Sequence, residues 1–221
     1  MRIFFIPGFG EAENIFDKIA PHIGGSQVFL NNWNELGNNA RKDINVIAYC
    51  KELIAKYTIT ADDVIIGHSM GGWIGYHLKH LTGCRVIQVA SWTNPDRVIL
   101  PKLKPTTIYW AMKSGLIFNR LGRWFMVRKF YKGNPSAPAF IETYNRLTKG
   151  NKNCVLNQMR LILNPVPEAV TVTPDLRIHA KRDPIIRHPK TEVTTTVPGD
   201  HFTLFTHPEE VYKPIVEFLG K

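Results

Sequence analysis

The chain is short of cysteine, of acidic residues and of long apolar runs, and each shortage closes off a class of protein. Three cysteines among 221 residues, Cys50, Cys84 and Cys154, are odd in number and widely spaced, which fits neither a disulfide framework nor a zinc site. A reducing compartment is therefore expected. The first apolar run ends at Pro7 after four residues, Ile3-Phe4-Phe5-Ile6, too short for a secretory signal. No stretch approaches the ~20 apolar residues of a membrane span, so a cytoplasmic location is the expectation. Internal repeats and low-complexity tracts are missing too, which argues against solenoids and linkers. What remains is ordinary: hydrophobic residues at 44% and charged residues at 21% exclude a disordered or fibrous chain. The length suits one generous domain, or one domain carrying an insertion.

The acidic shortage is local. Lys and Arg number 28 against 18 Asp and Glu, a net charge of +10. Between Pro95 and Val170 stand 13 basic and 3 acidic residues, so this one stretch carries the whole imbalance and the rest of the chain is neutral.

Along the chain, short apolar runs alternate with helical patterns, the rhythm of a parallel sheet covered by helices on both faces. Strands are expected at 2–6, 27–30, 63–66, 85–90, 176–180 and 192–197. Helical spacing covers 11–23, 43–57, 73–81 and 208–219, the last interrupted by Pro214, which predicts a kink or two short pieces. From 95 to about 173 the rhythm stops. That stretch reads as several amphipathic helices broken at Gly133-Asn134-Pro135, Gly150-Asn151 and Asn164-Pro165-Val166-Pro167. The expected organisation is a core of residues 1–94 and 174–221 interrupted by a helical, basic lid at 95–173.

Gly67-His68-Ser69-Met70-Gly71 matches G-x-S-x-G, between the apolar run Val64-Ile65-Ile66 and a helical stretch. A serine hydroxyl becomes a useful nucleophile when a sharp strand-to-helix turn holds it proud of the sheet, within reach of a base and of converging backbone N–H groups. Gly67 and Gly71 leave room for that turn. The bland alternative is a tight or phosphate-binding turn, which would need no acid and histidine later in the chain.

Here the chain resembles the α/β-hydrolase family over nearly its whole length. The resemblance implies a mostly parallel sheet of about six strands flanked by helices, and a triad in the order Ser, Asp, His. Leu176 to Pro184 looks like the family's acid-bearing strand end, making Asp183 the acid, with Asp96 the alternative. Val197-Pro198-Gly199-Asp200-His201-Phe202 looks like its histidine loop, making His201 the base of Ser69. Asp200 abuts His201 and does not fold back onto it readily, His179 is expected to fix its own loop, His68 reads as a turn neighbour, and His188 and His207 as surface or capping residues. The oxyanion donors implied are the backbone N–H groups of Phe9 and Met70. No cofactor is implied, and no metal-ligand spacing occurs.

The resemblance implies hydrolysis of a small-molecule acyl ester or thioester through an acyl-enzyme; the rival class is a non-catalytic hydrolase-like binding protein. Selectivity is expected from the lid, where Trp110 and other aromatics mix with Arg120, Arg123, Arg128 and Lys129; Trp92 and Trp110 are further candidates for substrate contact. The basic excess has three readings: a solvated face, a guide for an anionic partner such as acyl-CoA or an acidic acyl carrier protein, or an anionic lipid surface. Nucleic acid is not expected, because no binding motif accompanies the charge.

Overall fold

A computed structural model describes residues 1–99, 103–167, 169–189 and 195–220. Six strands form one parallel sheet: β1 (Arg2–Ile6), β2 (Ser26–Phe29), β3 (Val64–His68), β4 (Arg85–Val89), β5 (Leu176–Ala180) and β6 (Thr195–Val197), in the order β2-β1-β3-β4-β5-β6. The central strand β3 is buried at every position, as a parallel strand covered on both faces must be. The part of the β6 expectation at 192–194 lies outside the described residues.

Because side chains alternate along a strand, each strand feeds two cores. Phe4, Ile6, Ile65 and Val86 point into one, closed by α2 (Val46–Tyr57) and α3 (Met70–Thr82) through Tyr49, Leu53, Ile74 and Leu78. Ile3, Phe5, Val64, Ile66, Val89 and Ile178 point into the other, closed by Phe16, Ile19, Val211 and Ile215. The three cysteines are free and buried.

Some helical expectations are corrected, and one helix is added. Residues 11–23 form two short 3-10 turns, Glu13–Phe16 and Ala20–His22, because Pro21 lacks an N–H and its ring clashes with a carbonyl one turn earlier. A short helix, α1 (Asn32–Leu36), follows β2; Asn31 caps it by accepting from the N–H groups of Trp33 and Asn34. The end of the chain folds as α8 (Thr203–Thr206) and then one helix, α9 (Pro208–Leu219), running through Pro214, with Val211 and Ile215 buried. Helix α3 also begins at Met70, three residues before the expected start.

The segment between β4 and β5 carries α4 (Pro105–Lys113), α5 (Arg120–Met126), a π-helical turn (Val127–Tyr131), α6 (Ala137–Lys149) and α7 (Lys152–Leu163). Its helices extend both cores. Cys154, Met159 and Leu161 of α7 and Ile108 and Met112 of α4 join the first, while Phe140 and Tyr144 of α6 join the second. The Trp73 indole N–H donates to the Leu161 carbonyl at 2.9 Å, tying α7 to α3.

The tightest packing constraint lies where α3 crosses β1. A Cβ on Gly71 would sit 1.8 Å from the Ile6 carbonyl oxygen, whereas one on Gly24 meets nothing within 4 Å. Gly71→Ala is therefore expected to cost at least ~3 kcal/mol, because the obstacle is strand backbone. Gly24→Ala should change stability by less than about 0.5 kcal/mol. Urea unfolding of the two variants checks this, and an unshifted midpoint for Gly71→Ala would contradict the packing argument.

Candidate active site

Ser69, Asp183 and His201 follow the C-terminal ends of β3, β5 and β6, the edge where parallel sheets place their functional loops. Ser69 holds φ 51° and ψ −120°, a conformation that L-residues rarely adopt. Two bonds hold it there: its N–H donates to the Val89 carbonyl at 3.0 Å, and its own carbonyl accepts from the Ser91 hydroxyl at 2.7 Å. The turn is tight enough that a Cβ on Gly67 would lie 2.3 Å from the Gly71 carbonyl carbon.

The Ser69 Oγ lies 3.0 Å from His201 Nε2, and His201 Nδ1 lies 2.8 Å from Asp183 Oδ2. The other carboxylate oxygen, Oδ1, accepts from the N–H groups of Ile185 and Ile186 at 2.8 and 2.9 Å. Both oxygens of Asp183 are thus committed. Asp96, the alternative acid, sits exposed on a 3-10 turn whose cap is Asn94.

Burial and charge compete here. For Asp183, burial pushes the carboxyl up, but the His201 charge and hydrogen bond, with help from His179, outweigh it and leave the group below its ordinary 3.8. For His201, burial pushes the imidazole down, yet Asp183, then Glu11 and Asp200, leave it above its ordinary 6.5. Burial takes His179 the other way, down to about 4 despite Asp183. Its Nε2 lies 3.4 Å from the Ile186 carbonyl, within the loop it was expected to fix.

Two residues matter more than their sequence context suggests. His68 is fully buried and does more than flank the turn: Nε2 donates to the His201 carbonyl at 2.8 Å and Nδ1 meets Glu11 Oε2 at 2.8 Å. The same Glu11 oxygen accepts from the Gly8 N–H at 2.6 Å. Glu11 carries no sequence signal that separates it from any acid at the start of a helix. Glu11, His68 and His201 bring a carboxylate and two imidazoles within 4.8 Å, a ligand-like grouping whose ring nitrogens already serve the hydrogen bonds above.

Beside them, Gly10 N–H donates to Gln158 Oε1 of α7 at 2.9 Å. The N–H groups flanking Phe9 are thus taken. Among the described residues, nothing accepts from the N–H of Phe9 or of Met70. Asp200 accepts from Asn134 Nδ2 at 2.7 Å and Ser136 Oγ at 2.5 Å. His207 starts α9, while His188, expected at the surface, is half-buried edge-on to His179 with its Nε2 buried.

A model of the alpha/beta hydrolase family matches residues 6–213. The chain belongs to that family. No curated protein matches it in sequence. Among solved structures, this alpha/beta hydrolase is similar to a hydrolase from Oleispira antarctica, with a TM-score of 0.73 at 11% identity over 100% of this chain and 91% of that one. It is similar also to an enol-lactonase from Burkholderia xenovorans LB400 (TM-score 0.72, 15% identity, 100% and 91% covered). A thermophilic esterase from Thermogutta terrifontis follows (TM-score 0.66, 14% identity, 99% and 89% covered). At these identities the likeness is one of fold.

Trp92 is buried and stacks near Trp73 at 6.1 Å between centroids, while Trp110 is 63% exposed on α4. Arg120, Arg123, Arg128 and Lys129 lie on α5 and the π-helical turn. A cavity of about 800 Å³ opens on the outer side of the acid and histidine loops, lined by Lys132, Lys181, Arg182, Asp200 and His207 among others; Ser69 is not part of its lining.

The shifted groups set a pH window. The raised His201 value stabilises the fold below 6.5 and loses that contribution as pH rises through the folded value; the lowered Asp183 value stabilises above 3.8 and fails as pH falls. Both act together between those limits. By NMR, the His201 imidazole should titrate above 6.5, and Asp183→Asn should lower that midpoint, since burial then loses its main opponent. An unchanged midpoint in the variant would remove Asp183 as the source.

Proposed function

We propose that this alpha/beta hydrolase is an enzyme that cleaves carboxylic esters or thioesters with Ser69 as nucleophile, His201 as general base and acid, and Asp183 as the group that orients and charges the imidazole. The observation that carries the reading is the unbroken chain Ser69 Oγ, His201 Nε2, His201 Nδ1, Asp183 Oδ2, at 3.0 and 2.8 Å. An enol-lactonase and an esterase among the structural neighbours agree with acyl transfer.

In the first half-reaction Ser69 Oγ attacks the acyl carbon while its proton passes to His201 Nε2. The carbonyl oxygen, now an anion, is received by the N–H groups of Phe9 and Met70, the two donors left without acceptors. The C–O or C–S bond to the leaving group breaks, and that group takes the proton from His201, giving an acyl-enzyme. Water then attacks with its proton going to His201, and Ser69 leaves with that proton returned. The raised imidazole value means that turnover needs a pH above the ordinary 6.5 to hold His201 neutral.

Residues 95–173 act in this reading as a lid. Leu147 of α6 packs against Gly10, Gln158 of α7 binds its N–H, and the Phe118 ring lies 5.8 Å from that of Phe9. Ser69 is only 6% exposed beneath them, so substrate enters as these elements shift.

A fluorophosphonate probe should label Ser69 alone, and Ser69→Ala should lower p-nitrophenyl acetate hydrolysis by at least ~10⁴-fold. Labelling elsewhere, or activity kept in the variant, would overturn the proposal. Absence of both burst and turnover in the wild type would favour a binding protein.

A further inference from the structure

Nine of the twelve large apolar side chains that stand exposed among the described residues fall between Ile99 and Phe130. On α5 they form a stripe: Leu121, Trp124 and Phe125, spaced i, i+3, i+4, are 74%, 57% and 53% exposed. A helix on a water-soluble surface turns such a stripe inward. Here it is held outward. Gly122 faces the body of the protein, where a Cβ would meet the Tyr144 hydroxyl at 2.5 Å, and that hydroxyl donates to the Ile117 carbonyl at 2.5 Å. Asn119 caps the helix by accepting from the Gly122 N–H at 2.8 Å. Met126 and Val127 pack on the second core. The helix cannot roll its stripe under without giving up these contacts.

The charges around the stripe are all of one sign. Between Asp96 and Glu142 the sequence has nine basic residues and no acidic one. Arg128 lies over the Trp124 ring at 5.5 Å, and Lys129 over the Phe125 and Phe130 rings at 5.6 and 5.0 Å. Arg120, Arg128 and Lys129 form no ion pair with any described residue. Whatever covers this face must accept Trp, Phe and Leu into an apolar medium and supply negative charge beside it. A solvated face explains the charges and leaves the aromatics unexplained; a polar acidic protein does likewise. An anionic lipid surface supplies both, with Arg and Lys reaching the headgroups while the rings enter the acyl boundary. No helix among the described residues is long and apolar enough to cross a membrane, so the contact is peripheral.

We propose that α5 and the turn after it form an interfacial docking face for anionic membranes, with Leu121, Trp124 and Phe125 inserted and Arg120, Arg128 and Lys129 on the headgroups. The proposal goes beyond the hydrolase reading and does not depend on it.

The test is co-sedimentation of the full chain with vesicles of phosphatidylcholine alone and of phosphatidylcholine with 30% phosphatidylglycerol. Binding is expected to the anionic vesicles, with a blue shift of tryptophan emission. Leu121→Ser/Trp124→Ser/Phe125→Ser should weaken it on the order of 100-fold, and Arg120→Gln/Arg128→Gln/Lys129→Gln by a similar factor. Both variants alter exposed side chains and should keep the wild-type unfolding midpoint. Running the series on Ser69→Ala protein gives the same binding whether or not the chain is a hydrolase. The proposal is overturned if the wild type ignores anionic vesicles, if the triple Ser variant binds as well as the wild type, if poly-glutamate is bound more tightly than the vesicles, or if the face instead pairs two copies into a dimer that the Ser variant dissolves.

Discussion

The structure depends on one steric fact, that α3 starts within carbonyl contact of β1. A Cβ on Gly71 would collide with the Ile6 carbonyl and one on Gly67 with the backbone of Gly71, so only glycines there let strand β3 turn into helix α3 without an intervening loop. The turn leaves Ser69 no ordinary backbone conformation, and the φ of 51° is the result. Strain of this kind persists only where the surroundings over-determine it. They do so here through the Val89 carbonyl and the Ser91 hydroxyl, both from the end of the neighbouring strand and the residues just after it. Sheet order thus fixes a side chain: with β4 anywhere but beside β3, the serine would lose its anchors.

Around that serine, the histidine is gripped from two sides. Asp183 holds the ring, and His68 holds the backbone carbonyl. Since His68 is itself held by Glu11, and Glu11 also holds the Gly8 N–H, one buried network connects the loop after β1 with the loop after β6. Buried charges of this sort are weak contributors to stability, because desolvation offsets most of the attraction. Their value is geometric. They settle where the loop after β1 and the His201 loop stand relative to Ser69.

Much of this was legible in residue order, and the reasons are physical. Short apolar runs such as Ile3–Ile6 and Val64–Ile66 identify buried parallel strands, and the G-x-S-x-G turn between a strand and a helix leaves few alternatives. Asp183 and His201 stand out because each follows such a strand. Glu11 and His68 do not, since a buried network is a matter of distance in space and neither residue breaks a local pattern. Apolar spacing over 11–23 suggests one helix, but Pro21 outweighs it and the stretch folds as two 3-10 turns. In the segment between β4 and β5, amphipathic spacing reveals helices but not which face meets water. Leu121, Trp124 and Phe125 have the spacing of a core stripe, and only the seating of Gly122 against Tyr144 shows that they point out.

That segment is consequently two-faced, and contacts run from one face to the other. The stripe of α5 runs through the π-helical turn at Val127–Tyr131 into Asn134 and Ser136. Those two side chains hold Asp200, which adjoins His201. A π-helical turn inserts one residue more per turn than the α-helices beside it, and such turns recur at functional positions. Here it sets Tyr131 inward against Phe140 and Phe202, at ring separations of 4.2 and 6.0 Å, while Lys129 and Phe130 stay outside. Two sets of contacts, the packed rings and the Asp200 carboxylate, thus join the outer face to the histidine loop within a span of about ten residues of chain.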